Sequence, residues 1–162
     1  MPARVPCRAG VAWEWDGVRF EMLHPDMRAY AGRTRANSRS CVLRIASAHG
    51  VALLTGDIEA VDENALLANG SPLAADILLV PNHGSKTSST VAFVDAVRAR
   101  HVLVAAGYRN RFGHPHPQVL ERYEASGAQV WRTDLDGAIS LRLDPDELVV
   151  SGYRFQAPRY WR

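Results

Sequence analysis

A chain of 162 residues, 47% hydrophobic and 22% charged, is long enough for one core and is composed like a globular protein. No apolar run approaches the ~20 residues of a membrane helix, and the start, MPARVPCRAG, lacks the apolar centre of a signal peptide. Two cysteines, Cys7 and Cys41, are too few for a disulfide framework and leave the redox compartment open; the formal charge of +2 is dominated by arginine, Lys86 being the only lysine.

Val11 to Trp15 and Val18 to Leu23 alternate apolar and polar around Asp16-Gly17, a strong hairpin signal, so Trp13, Trp15, Phe20 and Leu23 are predicted strand residues with alternate ones pointing inward. His24-Pro25 ends the second strand. The stretch with Arg28, Arg33, Arg35 and Arg39 is poor in apolar residues and reads as an exposed loop. Arginine pairs with phosphates in a bidentate way, but an arginine-only bias is better explained by nucleotide composition than by phosphate binding. Cys41 to Ala46 and Val51 to Thr55 form a second antiparallel pair across His49-Gly50.

Strands and helices then alternate. Glu59 to Asn69 has helical spacing and stops at Gly70. Asp76 to Val80 is a short apolar run, as expected of a strand buried on both faces. Ser88 or Ser89 is placed to cap a helix running to about Ala99. His101 to Ala105 is a strand, Pro117 to Ser126 a helix with proline in its first turn, and Ala128 to Arg132 another strand. Ala138 to Leu143 and Leu148 to Tyr153 close the chain. The order predicts an α/β fold with a mixed sheet, its helices on one face because right-handed crossovers put them there.

The stretch from Leu53 to Ser89 organises the rest. LLTGDIE ends a strand near Asp57, and ADILLVPNHGSKTSS ends the next one near His83. Residues just past the carboxyl ends of neighbouring parallel strands face one crevice, so Asp57 and His83 are expected to converge. A carboxylate with an imidazole suits a divalent metal such as Zn²⁺ or Mn²⁺. The plainer alternatives are that Asp57 caps the following helix and that His83 is structural.

TGDIE, PNHGSKTSS, AGYRNRFGHPHPQVLERYEASG and TDLDGAI, in that order, resemble the C-terminal part of the metallo-β-lactamase-like domain of the ComEC family, competence proteins that take DNA into bacteria. Weaker likeness runs through AGVAWEWDGVRFEMLHP and NSRSCVL and reaches the terminal RYW. The resemblance implies one truncated domain over residues 1–162, the C-terminal half of an αββα sandwich. It also implies two metal ions in the intact domain, with Asp57 bridging them and His83 completing one shell. The family usually has a histidine where this sequence has Asn82. The H-x-H-x-D-H motif that supplies the remaining ligands is absent, and in family terms lies upstream of Met1. Two ligands hold a catalytic metal weakly, so the isolated chain is expected to bind metal poorly and hydrolyse little.

In the intact domain the resemblance implies metal-assisted phosphodiester hydrolysis of the DNA strand that is not imported. Ser85, Lys86, Thr87, Ser88 and Ser89 sit where a helix start would favour a phosphate, although capping is the better reading of the last two. His114 is placed to contact the phosphate or protonate the leaving oxygen, or else is a turn residue. Arg109 and Asn110 lie near it in sequence, and Asn110 is a candidate phosphate contact. The alternatives are a non-catalytic nucleic-acid-binding or docking module, and a small-molecule metallo-hydrolase such as a lactonase or phosphodiesterase. The implied partners are single-stranded DNA, the upstream half and the membrane channel of the longer protein. The implied location is a soluble part of an inner-membrane protein on the extracytoplasmic side. A half sandwich exposes an apolar face, so the isolated chain is expected to form a homodimer.

Overall fold

The computed structural model describes residues 6–31, 34–145 and 147–157. Arg33 and the terminal Arg159-Tyr160-Trp161 of the sequence reading lie outside these. Strands β1 (Ala12–Trp15) and β2 (Val18–His24) form the expected hairpin, with Trp15 opposite Val18. Asp16 and Gly17 both have positive φ, 51° and 74°, as the mirror-image turn that matches strand twist requires. The tryptophans do not point inward. β1 is the edge of the sheet and all four of its residues are exposed, Trp15 at 75%, while Trp13 stacks on Phe20 across the pair.

The arginine-rich stretch is not structureless. It holds 3₁₀ turns at Met27–Tyr30 and Asn37–Arg39, and two of its guanidinium groups make internal contacts. Arg35 reaches Glu59 at 3.4 Å, and the Arg39 Nε–H donates to Ala29 O and Thr34 Oγ1. The cysteines, which sequence left unpaired, are joined in a Cys7–Cys41 disulfide that ties the segment before β1 to the residue before β3.

The chain continues through β3 (Val42–Ser47), β4 (Gly50–Leu54), α1 (Ala60–Ala68), β5 (Ile77–Leu79), α2 (Val91–Val97), β6 (His101–Val104), α3 (Pro117–Ala125) and β7 (Gln129–Arg132). Two single-turn helices, α4 (Thr133–Asp136) and α5 (Tyr153–Gln156), flank a separate hairpin of β8 (Ile139–Leu143) and β9 (Leu148–Gly152). β1 to β7 form one mixed sheet in chain order, antiparallel as far as β4 and parallel from β4 to β7. The helix expected at Ser88 or Ser89 is capped instead by Thr90, whose Oγ1 accepts the Phe93 N–H. Ser89 has φ 58°, outside the extended region an N-cap occupies. The helix stops at Val97 because Arg98 turns left-handed, φ 51°.

Helices α1, α2 and α3 lie side by side. Their buried residues Leu66, Phe93, Val97, Val119 and Tyr123 join Leu53, Leu78 and Val102 of the sheet in one core. The register places Leu53, Leu78, Val102 and Val130 in one row on that face. The opposite face carries another apolar row, Met22, Leu43, Leu54, Leu79, Leu103 and Trp131, most of it only half-buried. Part of this second face lies under Leu143 of β8, which comes so close to Gly50 that a Cβ there would meet it at 2.9 Å. The sheet is thus layered by helices on one side and incompletely covered on the other.

Candidate metal-binding and phosphate-binding edge

Three connections meet at the carboxyl edge of the parallel strands: Thr55–Glu59 after β4, Pro81–Thr90 after β5, and Ala105–His116 after β6. This is where a parallel sheet places a ligand site. Gly56, with φ 55°, turns the chain sharply against Ser40, and its carbonyl accepts the Asn82 N–H at 3.0 Å, which draws the second connection beside the first. The Asp57 N–H donates to Ser40 Oγ at 3.1 Å. Ser40 in turn accepts from His24 Nδ1 through its carbonyl, so the segment next to the disulfide fixes the backbone of Asp57.

His83 stands in a tight turn over Pro81–Gly84, where Asn82 and His83 both have left-handed φ, 48° and 55°. Side chains avoid that region, so two consecutive residues held there mark a constrained turn. Its ring is aimed by an Nδ1–H donated to Ala105 O at 2.8 Å, which leaves Nε2 facing Asp57 Oδ1 at 3.4 Å. Asp57 and His83 therefore converge across one crossover, as the sequence predicted. Both side chains are about half exposed.

The arrangement fits a divalent cation. The Nδ1–H donation to Ala105 O leaves Nε2 and the Asp57 carboxylate side by side, two donor atoms that one cation can bridge. Two ligands of one tetrahedral ion bonded at ~2.1 Å stand about 3.4 Å apart. A carbonyl on the far ring nitrogen is also the usual way a metal-binding histidine is oriented. Among the described residues, no three His, Cys, Asp or Glu side chains cluster as a full ligand set.

His114 joins His83 in a recess of about 230 Å³ whose walls include Ala106, Asn110 and Phe112. The Asn110 amide is committed to the loop: it donates to Gly107 O and His114 O and accepts the His114 N–H. Gly84 lets the connections after β5 and β6 pack closely together. Its φ is 80°, and a Cβ there would sit 2.6 Å from Pro115 Cβ.

The serine run divides. Lys86 and Thr87 are exposed, and Ser85 is buried beneath them with its Oγ 3.1 Å from Thr87 Oγ1. Ser88 and Ser89 are buried: Ser88 donates to Pro81 O and Ser85 O, and Ser89 Oγ accepts from the Tyr123 hydroxyl. The N–H groups of Ser89 and Thr90, expected to be free for a phosphate, are taken by the Glu63 carboxylate. Burial pushes the Glu63 carboxyl above the usual carboxylate range, against those two N–H groups and the Arg122 charge. Arg122 donates to Ser88 O and Ser89 O, so Glu63, Arg122 and Tyr123 together fasten the loop that carries His83. Sequence reasoning missed these three, and also Thr133, which bonds both N–H and C=O of Ala106. The one signal was that TDLDGAI is polar at a strand end.

The chain is 38% identical to competence protein ComA of Neisseria gonorrhoeae over 132 residues, 81% of this chain and 19% of that protein. It is 33% identical to recombination protein 2 of Haemophilus influenzae over 161 residues, and 32% identical to ComE operon protein 3 of Bacillus subtilis over 125. The chain is homologous to a segment of bacterial competence proteins. It spans about a fifth of the length of these curated relatives. No family model matches it. No helix among the described residues is long and apolar enough to cross a membrane. The disulfide is consistent with the extracytoplasmic side, since such bridges persist in oxidising compartments.

Proposed function

We propose that this chain is the C-terminal half of a metallo-β-lactamase-like phosphodiesterase that degrades the non-imported DNA strand during uptake. The observation that carries this is the 3.4 Å approach of His83 Nε2 to Asp57 Oδ1 at the carboxyl edge of a parallel sheet. Asp57 and His83 would hold a divalent cation, Zn²⁺ or Mn²⁺, with the remaining ligands and a second ion supplied by an upstream segment of the longer protein. Such a cation activates water and stabilises charge on a phosphate. The chain's own groups position the substrate: Lys86 and the Ser85–Thr87 hydroxyls line the side of the crevice toward α1, and His114 lines the other, within reach of a leaving oxygen. The incompletely covered sheet face is where the upstream half would pack.

The test uses the longer protein with Mn²⁺ and a labelled single strand. Asp57→Asn and His83→Ala should each lower cleavage by about a hundred-fold or more, roughly 3 kcal/mol of transition-state stabilisation. Full activity in either variant, or robust cleavage by the 162-residue chain alone, would refute the assignment. If the longer protein binds DNA but never cleaves it, the second reading applies. Asn82, in the place of a metal-binding histidine, then marks a docking module.

A further inference from the structure

The connection from β6 to α3 carries two aromatic rings that the fold does not use. Tyr108 is 67% and Phe112 68% exposed, on a loop that is firmly held from within by the three hydrogen bonds of the Asn110 amide. A guanidinium lies against each ring: Arg109 is 5.2 Å from the Tyr108 centroid and Arg111 is 5.0 Å from that of Phe112. No Asp or Glu occurs between Asp95 and Glu121, so no acidic side chain of this stretch neutralises them. Phe112 is also a wall of the recess that holds His83 and His114, its ring 6.0 Å from that of His114.

We propose that this loop is a base-stacking platform for single-stranded nucleic acid. Phe112 takes the base beside the phosphate at Asp57 and His83, Tyr108 takes the next base out, and Arg109 and Arg111 contact the backbone. The inference rests on the phosphodiester reading of the Asp57–His83 pair and names how its substrate is held. Stacking on an exposed ring suits a strand whose sequence is arbitrary, because every base offers a π face, and single-strand binders combine such rings with a cationic track. Rings flanked by arginine also suit a lipid interface, but one of these rings walls a concave recess beside an imidazole, which fits a flat heterocycle better than a headgroup layer.

The experiment measures binding of the full chain, at low salt, to a labelled oligothymidylate and to an abasic strand of equal length and charge. The thymidylate should bind about ten-fold tighter for each base stacked. Phe112→Ala and Tyr108→Ala should each cost about ten-fold on thymidylate and nothing on the abasic strand, and Phe112→Trp should restore binding. Both side chains are exposed, so the variants should keep the wild-type circular dichroism. Equal affinity for the two strands, or an unchanged ratio in Phe112→Ala, overturns the platform and leaves the phosphodiester reading standing. Failure of both strands to bind overturns both. Retention on phosphatidylglycerol vesicles that Phe112→Ala abolishes, with the strand ratio unaffected, assigns the rings to lipid and also overturns the proposal.

Discussion

Removing the Cys7–Cys41 bridge, by Cys7→Ser with Cys41→Ser or by full reduction, is expected to destabilise the protein by about 4 kcal/mol. The bridge joins residues 34 apart, and restoring the conformational freedom of a loop that long in the unfolded chain is worth ~3.8 kcal/mol in the chain-entropy account. Domains of this size have only about 5–15 kcal/mol in total, so the loss is a large fraction. Within the enclosed segment, β2 is anchored by its pairing with β3, and the parts on either side of it are held less firmly. All of β1 is exposed, and neither 3₁₀ turn contains a buried residue. Urea unfolding followed by far-ultraviolet circular dichroism, with and without reductant, measures the loss. At an m-value of about 2 kcal/mol/M the midpoint should fall by roughly 2 M, and m itself should rise as the unfolded chain expands. Because Cys41 adjoins Ser40, which binds the Asp57 N–H, the DNA cleavage proposed for the longer protein should weaken on reduction as well. A protein shown by alkylation and mass to be fully reduced, yet with an unchanged midpoint, would refute the reasoning.

Gly84→Ala should destabilise by about 3 kcal/mol, combining a left-handed φ with a Cβ driven into Pro115, and thermal melting reads it. Thr90→Ala should cost about 1 kcal/mol by removing the cap of α2, measured the same way. His101 has its pKa lowered from 6.5, by burial first and by Arg100 second, and its Nδ1 accepts the Trp131 indole N–H. Between that lowered value and 6.5 the unfolded chain binds more protons than the folded one, so stability should fall as pH drops through this window. A quenching step in Trp131 fluorescence below pH 6.5 that His101→Gln abolishes would show it. The isolated chain should dimerise through the half-buried face around Leu54, Leu79 and Trp131, and a monomer in concentrated light scattering would count against that.

Periodicity and turn chemistry made the sheet legible. Asp16-Gly17 fixed a hairpin register, the run Asp76–Val80 announced a buried strand, and Gly70 and Gly127 marked helix ends. Asp57 and His83 could be paired because parallel strands put their following residues on one rim, whatever their separation in sequence. What could not be read depends on partners distant in sequence. Ser89 looks like a helix cap until Glu63 and Tyr123 are seen to hold it. Trp15 looks like a core residue until β1 proves to be an uncovered edge. Cys7 and Cys41 have no spacing that reveals a bridge.

The strands lie in the sheet in the order in which they are made. During synthesis each new strand therefore meets its template already in place, and no strand has to wait for a later one to be inserted beside it. A ribosome releasing this chain could lay down the sheet in one sweep from β1 to β7, which limits the time that unpaired edges stand open to aggregation.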